Sequence, residues 1–324
     1  MNYILFDPHD IERYYPFTLT RPLGEMRVFG GTIKEVWEKY LGCNISYLTR
    51  DYLSDLYPTK YGKENIFISS EYLPNPNKMT LKAQKNPAEL LTVVNSHYGL
   101  GGDNWVPYLR CSEGSRFTSL NFKELSQTFD DTFFLLPAIP PKDHLFLDFI
   151  SWNDSFIGYG EYMKQCLEFS PFKKSNIDCS KNPFLNDDDG PIIVDKDVTI
   201  MEGAMIRGPV HICKGSIIKM GAKIYGPTVI GPYCKIGGEV SNCIFLGYSN
   251  KAHEGFLGHS IIGEWCNIGA GTSNSNLKNN YDTVKIWDYS KKKFNDSKQQ
   301  FLGMSMGDHS KCAINTSFNT GTTI

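Results

Sequence analysis

An aliphatic residue that returns at every sixth position between residues 194 and 236 constrains the fold of this chain more than any other feature. The positions are Val194, Ile200, Ile206, Ile212, Ile218, Ile224, Ile230 and Ile236. A step of six residues fits neither a helix face nor a half-buried strand of ordinary length, but it fits a coil of three short strands that each contribute one inward aliphatic side chain. Successive coils stack at the usual strand spacing of roughly 4.8 Å. The pattern therefore predicts a parallel β-helix of hexapeptide repeats.

Two segments rich in polar and aromatic residues interrupt this repeat, at Gly238–Ser260 and Asn274–Phe301. The aliphatic period returns at Ile262 and Ile268 and again from Met306 to Ile324, so we expect the β-helix to continue beyond both breaks. Loops held by a rigid scaffold often carry catalytic and binding residues. The two breaks are therefore predicted to be loops that carry a site.

The chain stops on Ile324, a core position of the repeat, and no polar capping segment follows it. Solenoids need a covered end. On this ground we expect the natural protein to be longer.

Length and composition predict two domains of a protein without a nucleic-acid or membrane partner. A chain of 324 residues allows about two domains, and a net charge of -2 gives no reason to expect nucleic acid or a membrane surface. The nine cysteines are scattered and include no CxxC pair, which is typical of reduced, structural thiols. The first residues lack both the basic start and the apolar run of an export signal, so we expect a cytoplasmic protein.

The N-terminal half alternates strands and helices, which predicts a small parallel sheet. The predicted elements are strands at Tyr3–Phe6, Ile45–Thr49, Asn65–Ser69, Leu90–Val94 and Phe133–Leu136, and helices at Ile33–Leu41, Tyr52–Tyr57 and Lys142–Leu167. The first helix has Thr32 as its N-cap and Gly42 just past its end. The repeat begins after the polar stretch that ends near Gly190, which marks the border with the second domain.

Two stretches carry a resemblance to a known enzyme family: YPFTLTRPLGEMRVFGGTI in the N-terminal half, and GFLGHSIIGEWCNIGAGTSNSNLKN after the hexapeptide coils. They resemble the bifunctional UDP-N-acetylglucosamine pyrophosphorylase/glucosamine-1-phosphate N-acetyltransferase family. Its members join a sugar-phosphate nucleotidyltransferase domain to a left-handed β-helix that acetylates glucosamine-1-phosphate. The chain is more similar still to a shortened, divergent branch of sugar nucleotidyltransferases. The resemblance is nearly continuous from Gly190 onward but is confined to about Pro16 to Ile33 in the N-terminal half.

The resemblance implies three regions. Residues 1–143 would form a reduced nucleotidyltransferase-like α/β domain with a Rossmann-type sheet, residues 144–189 a helical linker, and residues 190–324 a left-handed β-helix acyltransferase domain. It also implies a homotrimer, because the active sites of the similar enzymes lie between subunits.

Acetyl transfer to an amine needs a base near the nucleophile, a partner that holds this base, donors for the tetrahedral oxyanion, and cations for the sugar phosphate. His253 matches the catalytic histidine of the family, and Glu239, fourteen residues earlier, matches the carboxylate that assists it. The resemblance thus implies that His253 takes a proton from the 2-amino group of the sugar while Glu239 fixes its tautomer. Acetyl-CoA is the implied co-substrate.

Further positions match family contacts with the two substrates. Those implied for the sugar phosphate are Asn267, Lys285 and Lys223, and those implied for the acetyl-CoA side are Asn276 and Ala270. Three positions depart from the usual pattern: Ser241 stands where a substrate-binding lysine is expected, and Phe256 and Leu277 each replace a tyrosine. Because a cation is lost at Ser241, the acceptor is either glucosamine-1-phosphate or another amino or hydroxyl sugar phosphate.

Nucleotidyl transfer in the N-terminal half would need a backbone cradle for phosphates, a cation near the α-phosphate and a carboxylate for Mg²⁺. The family uses a glycine-rich loop after the first strand, but the equivalent segment DPHDIERYY contains no glycine. Arg13, Arg21 and Arg27 are the candidate nucleotide-binding residues, and Glu71 is the candidate metal carboxylate. We hypothesise that this half is impaired. If it is active, UTP or dTTP and Mg²⁺ are its expected partners.

Simpler interpretations of these residues stay open. The asparagine-rich run after Thr272 could be a ladder of turns, and Lys285 and Lys223 could lie on an exposed strand and a solvated corner. The basic run Lys291–Lys293 is predicted to be the tip of a hairpin without a ligand.

Other classes of protein also stay open. Sugar-1-phosphate nucleotidyl transfer could be the main activity, or the chain could be a non-catalytic trimeric scaffold. Left-handed β-helices also form zinc enzymes that resemble γ-type carbonic anhydrase. The histidines that invite this comparison are His211, His253, His259 and His309. They do not reproduce the ligand spacing of that family, so no metal ligands are predicted.

Overall fold

The computed structural model describes residues 2–8, 11–62, 64–70, 72–74, 108–112, 134–135, 146–148, 174–179 and 184–324. The chain forms two compact units that each combine several segments. The first unit contains Met1–Ile11, Thr20–Met26 and Gly30–Ile150, and the second contains Glu12–Leu19, Arg27–Phe29 and Ser151–Ile324. Two short stretches near the N-terminus therefore belong to the same unit as the C-terminal repeat.

The described part of the first 150 residues contains short strands, two α-helices and three 3₁₀ helices. The 3₁₀ helices are Ile11–Tyr14, Phe17–Leu19 and Leu23–Glu25. The other elements are β1 Asn2–Phe6, β2 Arg27–Val28, β3 Gly31–Thr32, α1 Ile33–Leu41, β4 Ile45–Leu48, α2 Asp51–Ser54, β5 Glu64–Ser69, β6 Tyr72–Pro74, β7 Tyr108–Ser112, β8 Phe134–Leu135 and β9 Phe146–Asp148.

The sheet of the first unit has β1 next to its centre. β1 pairs in parallel with β4 on one side and with β5 on the other, and β7 and β8 extend the sheet beyond β5 in antiparallel pairs. Ile4 and Leu5 of β1 have no exposed surface. The predicted parallel sheet and its first three strands are thus confirmed.

Helix α1 has the boundaries that its capping residues predict. The hydroxyl of Thr32 accepts the backbone N–H of Glu35, and the Glu35 carboxylate accepts the backbone N–H of Thr32. This capping box satisfies two N–H groups that the first helical turn would otherwise leave unpaired. Gly42 ends the helix in the left-handed conformation with φ of 68°. Ile33 and Trp37 are fully buried and fix the helix in the core.

Some predicted elements differ from the structure. The second helix is only Asp51–Ser54 rather than Tyr52–Tyr57. Residues 146–148, inside the predicted helix Lys142–Leu167 and the predicted helical linker, instead form β9. They pair antiparallel with β6, and such strand pairing routinely overrides a local helical pattern. The rest of that helix and the predicted strand Leu90–Val94 lie outside the described residues.

The second unit contains the strands of the repeat. They are β10 Leu185–Asn186, β11 Ile192–Val194, β12 Thr199–Ile200, β13 Met205–Arg207, β14 Val210–Ile212, β15 Ile217–Ile218, β16 Lys223–Tyr225, β17 Thr228–Ile230, β18 Lys235–Ile236, β19 Glu239–Gly247, β20 Asn250–Lys251, β21 Phe256–Glu264, β22 Asn267–Ile268, β23 Ser273–Asn274, β24 Lys285–Asp288, β25 Lys293–Asp296, β26 Ser305–Met306, β27 Lys311–Cys312 and β28 Ser317–Phe318.

Apart from the antiparallel pair β24 and β25, these strands form a parallel β-solenoid consistent with the predicted left-handed β-helix. Ile212 pairs with Ile230, and Ile218 pairs with Ile236, so one coil takes three hexapeptides. The side chains of these four residues have no exposed surface. Stacked aliphatic residues therefore form the core, as the period of six predicts.

The first break in the repeat is not a loop, and that prediction was wrong. β19, β20 and β21 continue the solenoid through it with shorter coils. Ile236 pairs with Lys251, fifteen residues later, and Asn250 pairs with Asn267, seventeen residues later. The shorter coils change the spacing of inward side chains but keep the strands in register.

The second break contains a hairpin. β24 and β25 pair antiparallel, with Lys285 opposite Asp296, and the basic run Lys291–Lys293 lies at the turn and the start of β25. This confirms the predicted hairpin tip. The solenoid resumes when Met306 of β26 pairs with Ile262.

The described cysteines are all free thiols: Cys43, Cys179, Cys213, Cys234, Cys243, Cys266 and Cys312. Cys234, Cys243 and Cys266 are buried in the solenoid core, where a thiol serves as a small apolar side chain. Cys213 is buried outside this core cluster. Within the described ranges, no helix has the length and apolar character needed to cross a membrane.

Candidate functional site

The corner of the solenoid between β20 and β21 carries His253, and the start of β19 lies beside it in the preceding coil. The backbone N–H of Glu239 donates to the carbonyl of Gly255 at 3.2 Å. Gly238 adopts a φ of 72°, and a Cβ atom at this position would lie 2.8 Å from the His253 carbonyl oxygen. His253 and Glu239, the two residues predicted to act together, therefore lie at the same corner of adjacent coils. The side chain of His253 is exposed and that of Glu239 is half-buried.

A buried lysine holds this corner. Lys251 is 1% exposed, and its Nζ donates to the backbone carbonyls of His253 at 2.5 Å and Gly237 at 3.3 Å. Burial lowers the pKa of Lys251 to about 8, while Glu254 opposes this shift. A charge in a solenoid core is costly unless hydrogen bonds compensate it, and here both compensating bonds go to backbone next to the predicted catalytic pair.

Lys223, Glu239 and Phe256 form one row across three coils. Lys223 pairs with Glu239, which pairs with Phe256 on its other side. Ser241, two residues along the same strand, is also half-buried and lies in the neighbouring row, where it pairs with Tyr225 and Gly258. The cation of Lys223 therefore lies in the coil next to Glu239, on the face where the resemblance implies a sugar phosphate.

The remaining predicted contacts lie farther along the solenoid. Asn267 is exposed on β22, where it pairs with Asn250 and Lys311. The carbonyl of Ala270 accepts the backbone N–H of Asn315 at 2.7 Å. Lys285 is exposed at the start of the β24 hairpin.

Asn276 is joined to a histidine that the sequence analysis did not assign to the site. Its side-chain amide donates to Nδ1 of His259 at 2.9 Å. The His259 ring stacks on Phe301 with a centroid distance of 5.4 Å. Burial lowers the pKa of His259 to about 4, so its ring is neutral near pH 7. The spacing of 17 residues between His259 and Asn276 equals one of the shorter coils, but the hexapeptide period, which expects coils of 18 residues, does not signal it.

In the first unit, polar residues follow three neighbouring strands. Asp7 follows β1, Thr49 and Arg50 follow β4, and Ser70 follows β5. β4 and β5 lie on opposite sides of β1, which makes this the kind of edge where open α/β sheets bind ligands.

The carboxylate of Asp7 is 1% exposed and is fully engaged inside the protein. Oδ1 accepts the backbone N–H of Leu23 at 2.7 Å, Oδ2 accepts the hydroxyl of Thr49 at 2.6 Å, and Nη2 of Arg50 lies 3.7 Å away. Burial raises the pKa of Asp7, while these partners oppose the shift. Asp7 therefore anchors the loop that contains Leu23 to the strand ends.

Gly24, in the loop that contains Leu23, lets this loop pack closely against the sheet. A Cβ atom at Gly24 would lie 2.6 Å from the Tyr47 ring and 3.1 Å from Leu5. This close approach to the sheet leaves no room for a side chain, and it is a different use of glycine from a phosphate cradle.

The three arginines predicted to bind nucleotide have different surroundings. Arg21 is buried in the first unit, and its carbonyl accepts Nη2 of Arg50 at 3.0 Å. Arg27 belongs to the second unit, where its Nε donates to the carbonyl of Leu246 at 3.0 Å. Arg13 lies in the first 3₁₀ helix. Glu71 lies outside the described residues, so its role stays a prediction.

A family model described as sugar nucleotidyl transferase matches residues 3–97 of the chain. The N-terminal region is sugar-nucleotidyltransferase-like. No curated protein matches the chain. Together, this region and the β-solenoid support a transferase related to nucleotide sugars, whereas membership of the bifunctional family stays a prediction.

Proposed function

We propose that the solenoid catalyses acetyl transfer from acetyl-CoA to the amino group of a sugar 1-phosphate. His253 removes a proton from the 2-amino group as the nitrogen attacks the thioester carbonyl carbon. The tetrahedral intermediate then collapses, the carbon–sulfur bond breaks, and the imidazolium returns its proton to the departing coenzyme A thiolate. Glu239 orients the imidazole and stabilises its charged form.

The observation that carries this proposal is the position of His253 and Glu239 at one corner of adjacent coils. Gly238, between β18 and Glu239, has no side chain and lets the two coils approach to contact distance there. Lys251 holds the backbone of His253 from inside the solenoid. A base whose backbone is fixed beside its carboxylate partner is pre-organised for proton transfer.

The polar row beside this corner supplies the binding groups of the proposal. Lys223 would hold the sugar phosphate, with Lys285 and Asn267 as further contacts, and Asn276 and Ala270 would contact acetyl-CoA. Ser241 provides a hydroxyl in place of a cation. Because Ser241 alters the expected pocket, other amino or hydroxyl sugar phosphates are further candidate acceptors, and glucosamine-1-phosphate is the first to try.

The test is coenzyme A release from acetyl-CoA with glucosamine-1-phosphate. We expect His253→Ala to lower kcat/KM by about 100-fold or more, as for loss of a general base. His309→Ala is the matched control, because His309 is also exposed on the solenoid and should leave turnover unchanged. Equal losses in both variants would contradict the assignment of His253.

The proposal also expects a homotrimer, since the similar enzymes build their sites between subunits. Light scattering measures this directly. No turnover by a folded trimer, with a panel of amino-sugar 1-phosphates, would instead favour the scaffold alternative.

A second candidate, sugar-1-phosphate nucleotidyl transfer in the first unit, is favoured by the family match over residues 3–97. Arg50 adds a physical reason. Its side chain is 14% exposed, and its Nε and Nη1 are buried without a hydrogen-bond partner among the described residues. Buried guanidinium N–H groups at a strand end suit a phosphate oxygen.

Pyrophosphate release from UTP or dTTP with a hexose 1-phosphate and Mg²⁺ tests this candidate. If it holds, Arg50→Gln should weaken nucleotide binding by about 10-fold or more, as expected for loss of a charged hydrogen bond. Lys39→Gln, on the exposed face of α1, is the control. Absence of nucleotide binding by wild-type protein would leave the first unit without this activity.

A further inference from the structure

Three potential metal ligands converge on one point at the second unit's first two coils. Nε2 of His211 lies 3.3 Å from Oδ1 of Asp195 and 3.9 Å from Sγ of Cys213. All three ligand atoms lie within 4.8 Å of one another. One imidazole nitrogen therefore faces a carboxylate oxygen and a sulfur at the same time.

The repeat produces this convergence. Val194 pairs with Ile212, so the residues that follow them, Asp195 and Cys213, occupy equivalent positions in adjacent coils. His211 lies on β14 between the core residues Val210 and Ile212 and therefore points away from the solenoid core. The spacing of 18 residues between Asp195 and Cys213 is the one feature of the sequence that could have signalled this cluster.

Nε2 of His211 faces two acceptor atoms, the Asp195 oxygen and the Cys213 sulfur. A nitrogen of a histidine ring carries at most one proton, so a single N–H would be shared between these two atoms if Nε2 is a donor. A cation bound by all three atoms satisfies each of them.

The distances match the coordination sphere of zinc. Bonds of about 2.0 Å to nitrogen and oxygen, at tetrahedral angles, separate these two atoms by about 3.3 Å. A sulfur bond of about 2.3 Å places sulfur about 3.6 Å from the nitrogen. The observed 3.3 Å and 3.9 Å are within a few tenths of an ångström of these values. The carboxylate oxygen and the sulfur lie within 4.8 Å of each other, and binding one ion would bring them to about 3.6 Å.

The surroundings of the cluster also resemble those of a metal site. His211 is 4% exposed, and the Phe29 ring packs on it with a centroid distance of 5.3 Å. Nη1 of Arg27 lies 3.8 Å from Sγ of Cys213. An N–H donor to a ligating thiolate orients the sulfur and tunes its charge, although the positive charge of Arg27 also weakens cation binding.

We propose that Asp195, His211 and Cys213 bind one zinc ion, with a water molecule as the fourth ligand. Asp195 is half-buried and is the most exposed ligand of the three, so it marks the side from which the ion and the water enter. Binding deprotonates the thiol: the S–H bond breaks, a zinc–sulfur bond forms, and one proton passes to solvent. The ion joins the first two coils, and its fourth position stays open to water or another exchangeable ligand.

The experiment uses the full chain without a histidine tag, stripped with a chelator and then titrated with Zn²⁺ and with Co²⁺. We expect about one zinc per chain, as for a site of three protein ligands and water. Tetrahedral Co²⁺ should give a thiolate charge-transfer band. His211→Asn and Cys213→Ser should each weaken zinc binding by at least about 100-fold, since they remove a ligand outright.

Cys312→Ser and His309→Asn are the matched controls and should retain full binding, because both residues lie in later coils of the solenoid. The cobalt spectrum of the wild-type protein tests the site even if the His211 variant does not fold. A folded wild-type chain that binds less than about a tenth of an equivalent of zinc, or gives no thiolate band, overturns the proposal. In that case a proton rather than a metal ion lies between Nε2 of His211 and the Asp195 carboxylate, and these two residues form an ion pair.

Discussion

Nζ of Lys251 donates a 2.5 Å hydrogen bond to the backbone carbonyl of His253 from inside the solenoid core. The equivalent position in the preceding coil is Ile236. A charged side chain thus stands in an aliphatic column, and the bond it makes there fixes the backbone of the proposed base. The buried charge lowers the stability of the core, and its hydrogen bond fixes the backbone conformation at this corner.

Lys251→Met separates these two effects. Replacing a buried charge by an apolar side chain of similar length relieves its desolvation but leaves two carbonyls without a donor, which costs about 1–3 kcal/mol each. We expect the free energy of unfolding to change by less than about 2 kcal/mol, whereas kcat for acetyl transfer falls about 10-fold or more because His253 loses its anchor. Lys235→Met, at an exposed position of β18, is the control. Unchanged kcat in Lys251→Met would show that the bond does not position His253.

The titration of Lys251 gives a pH dependence of known sign. Burial lowers its pKa to about 8 in the folded protein, while an unfolded lysine titrates at about 10.4. Between these values the unfolded chain binds more protons, so the contribution of Lys251 to stability rises with pH and is constant below about pH 7. We expect the unfolding free energy of the wild type, relative to that of Lys251→Met, to increase from pH 7 to pH 10. Urea denaturation of both proteins over this range measures it. A flat difference would contradict the lowered pKa.

Two glycines with the same backbone conformation test the contact at the proposed site. Gly238 and Gly221 have φ of 72° and 70°, but a Cβ atom at Gly238 would lie 2.7 Å from the Gly255 carbonyl, whereas one at Gly221 would meet nothing within 4 Å. Gly221→Ala should cost only the left-handed backbone strain of about 1–2 kcal/mol. Gly238→Ala should cost clearly more and lower acetyl transfer as well. Equal losses of stability by thermal unfolding would show that the corner tolerates a side chain.

The hexapeptide period predicted the solenoid because it reports directly which side chains face the core, as Ile212 and Ile230 do. It failed between Gly238 and Ser260 because Lys251, a polar residue, takes a core position and two coils are shorter there. A pattern search that expects an aliphatic residue in each coil cannot follow the strand register through a lysine.

The same limit applies to the histidines. The resemblance indicated His253 because its motif is local. The environment of His259 depends on Asn276 and Phe301, and that of His211 depends on Phe29, nearly two hundred residues earlier. The contacts with Phe301 and Phe29 follow from tertiary packing, whereas the contact with Asn276 spans one short coil that the interrupted hexapeptide period does not reveal.

His259 should make the folded protein sensitive to acid. Its folded pKa is lowered by burial to about 4, below the unfolded value of about 6.5. Between these values the unfolded state binds more protons, so stability falls as pH falls from about 6.5 to about 4.

His259→Asn removes the titration and keeps a residue that tolerates the φ of 50° found there. We expect the urea midpoint of this variant to fall less between pH 7 and pH 4.5 than that of the wild type. His309→Asn, at a φ of 59° on the exposed surface, should keep the wild-type dependence; a reduced dependence there instead would assign the acid sensitivity to His309.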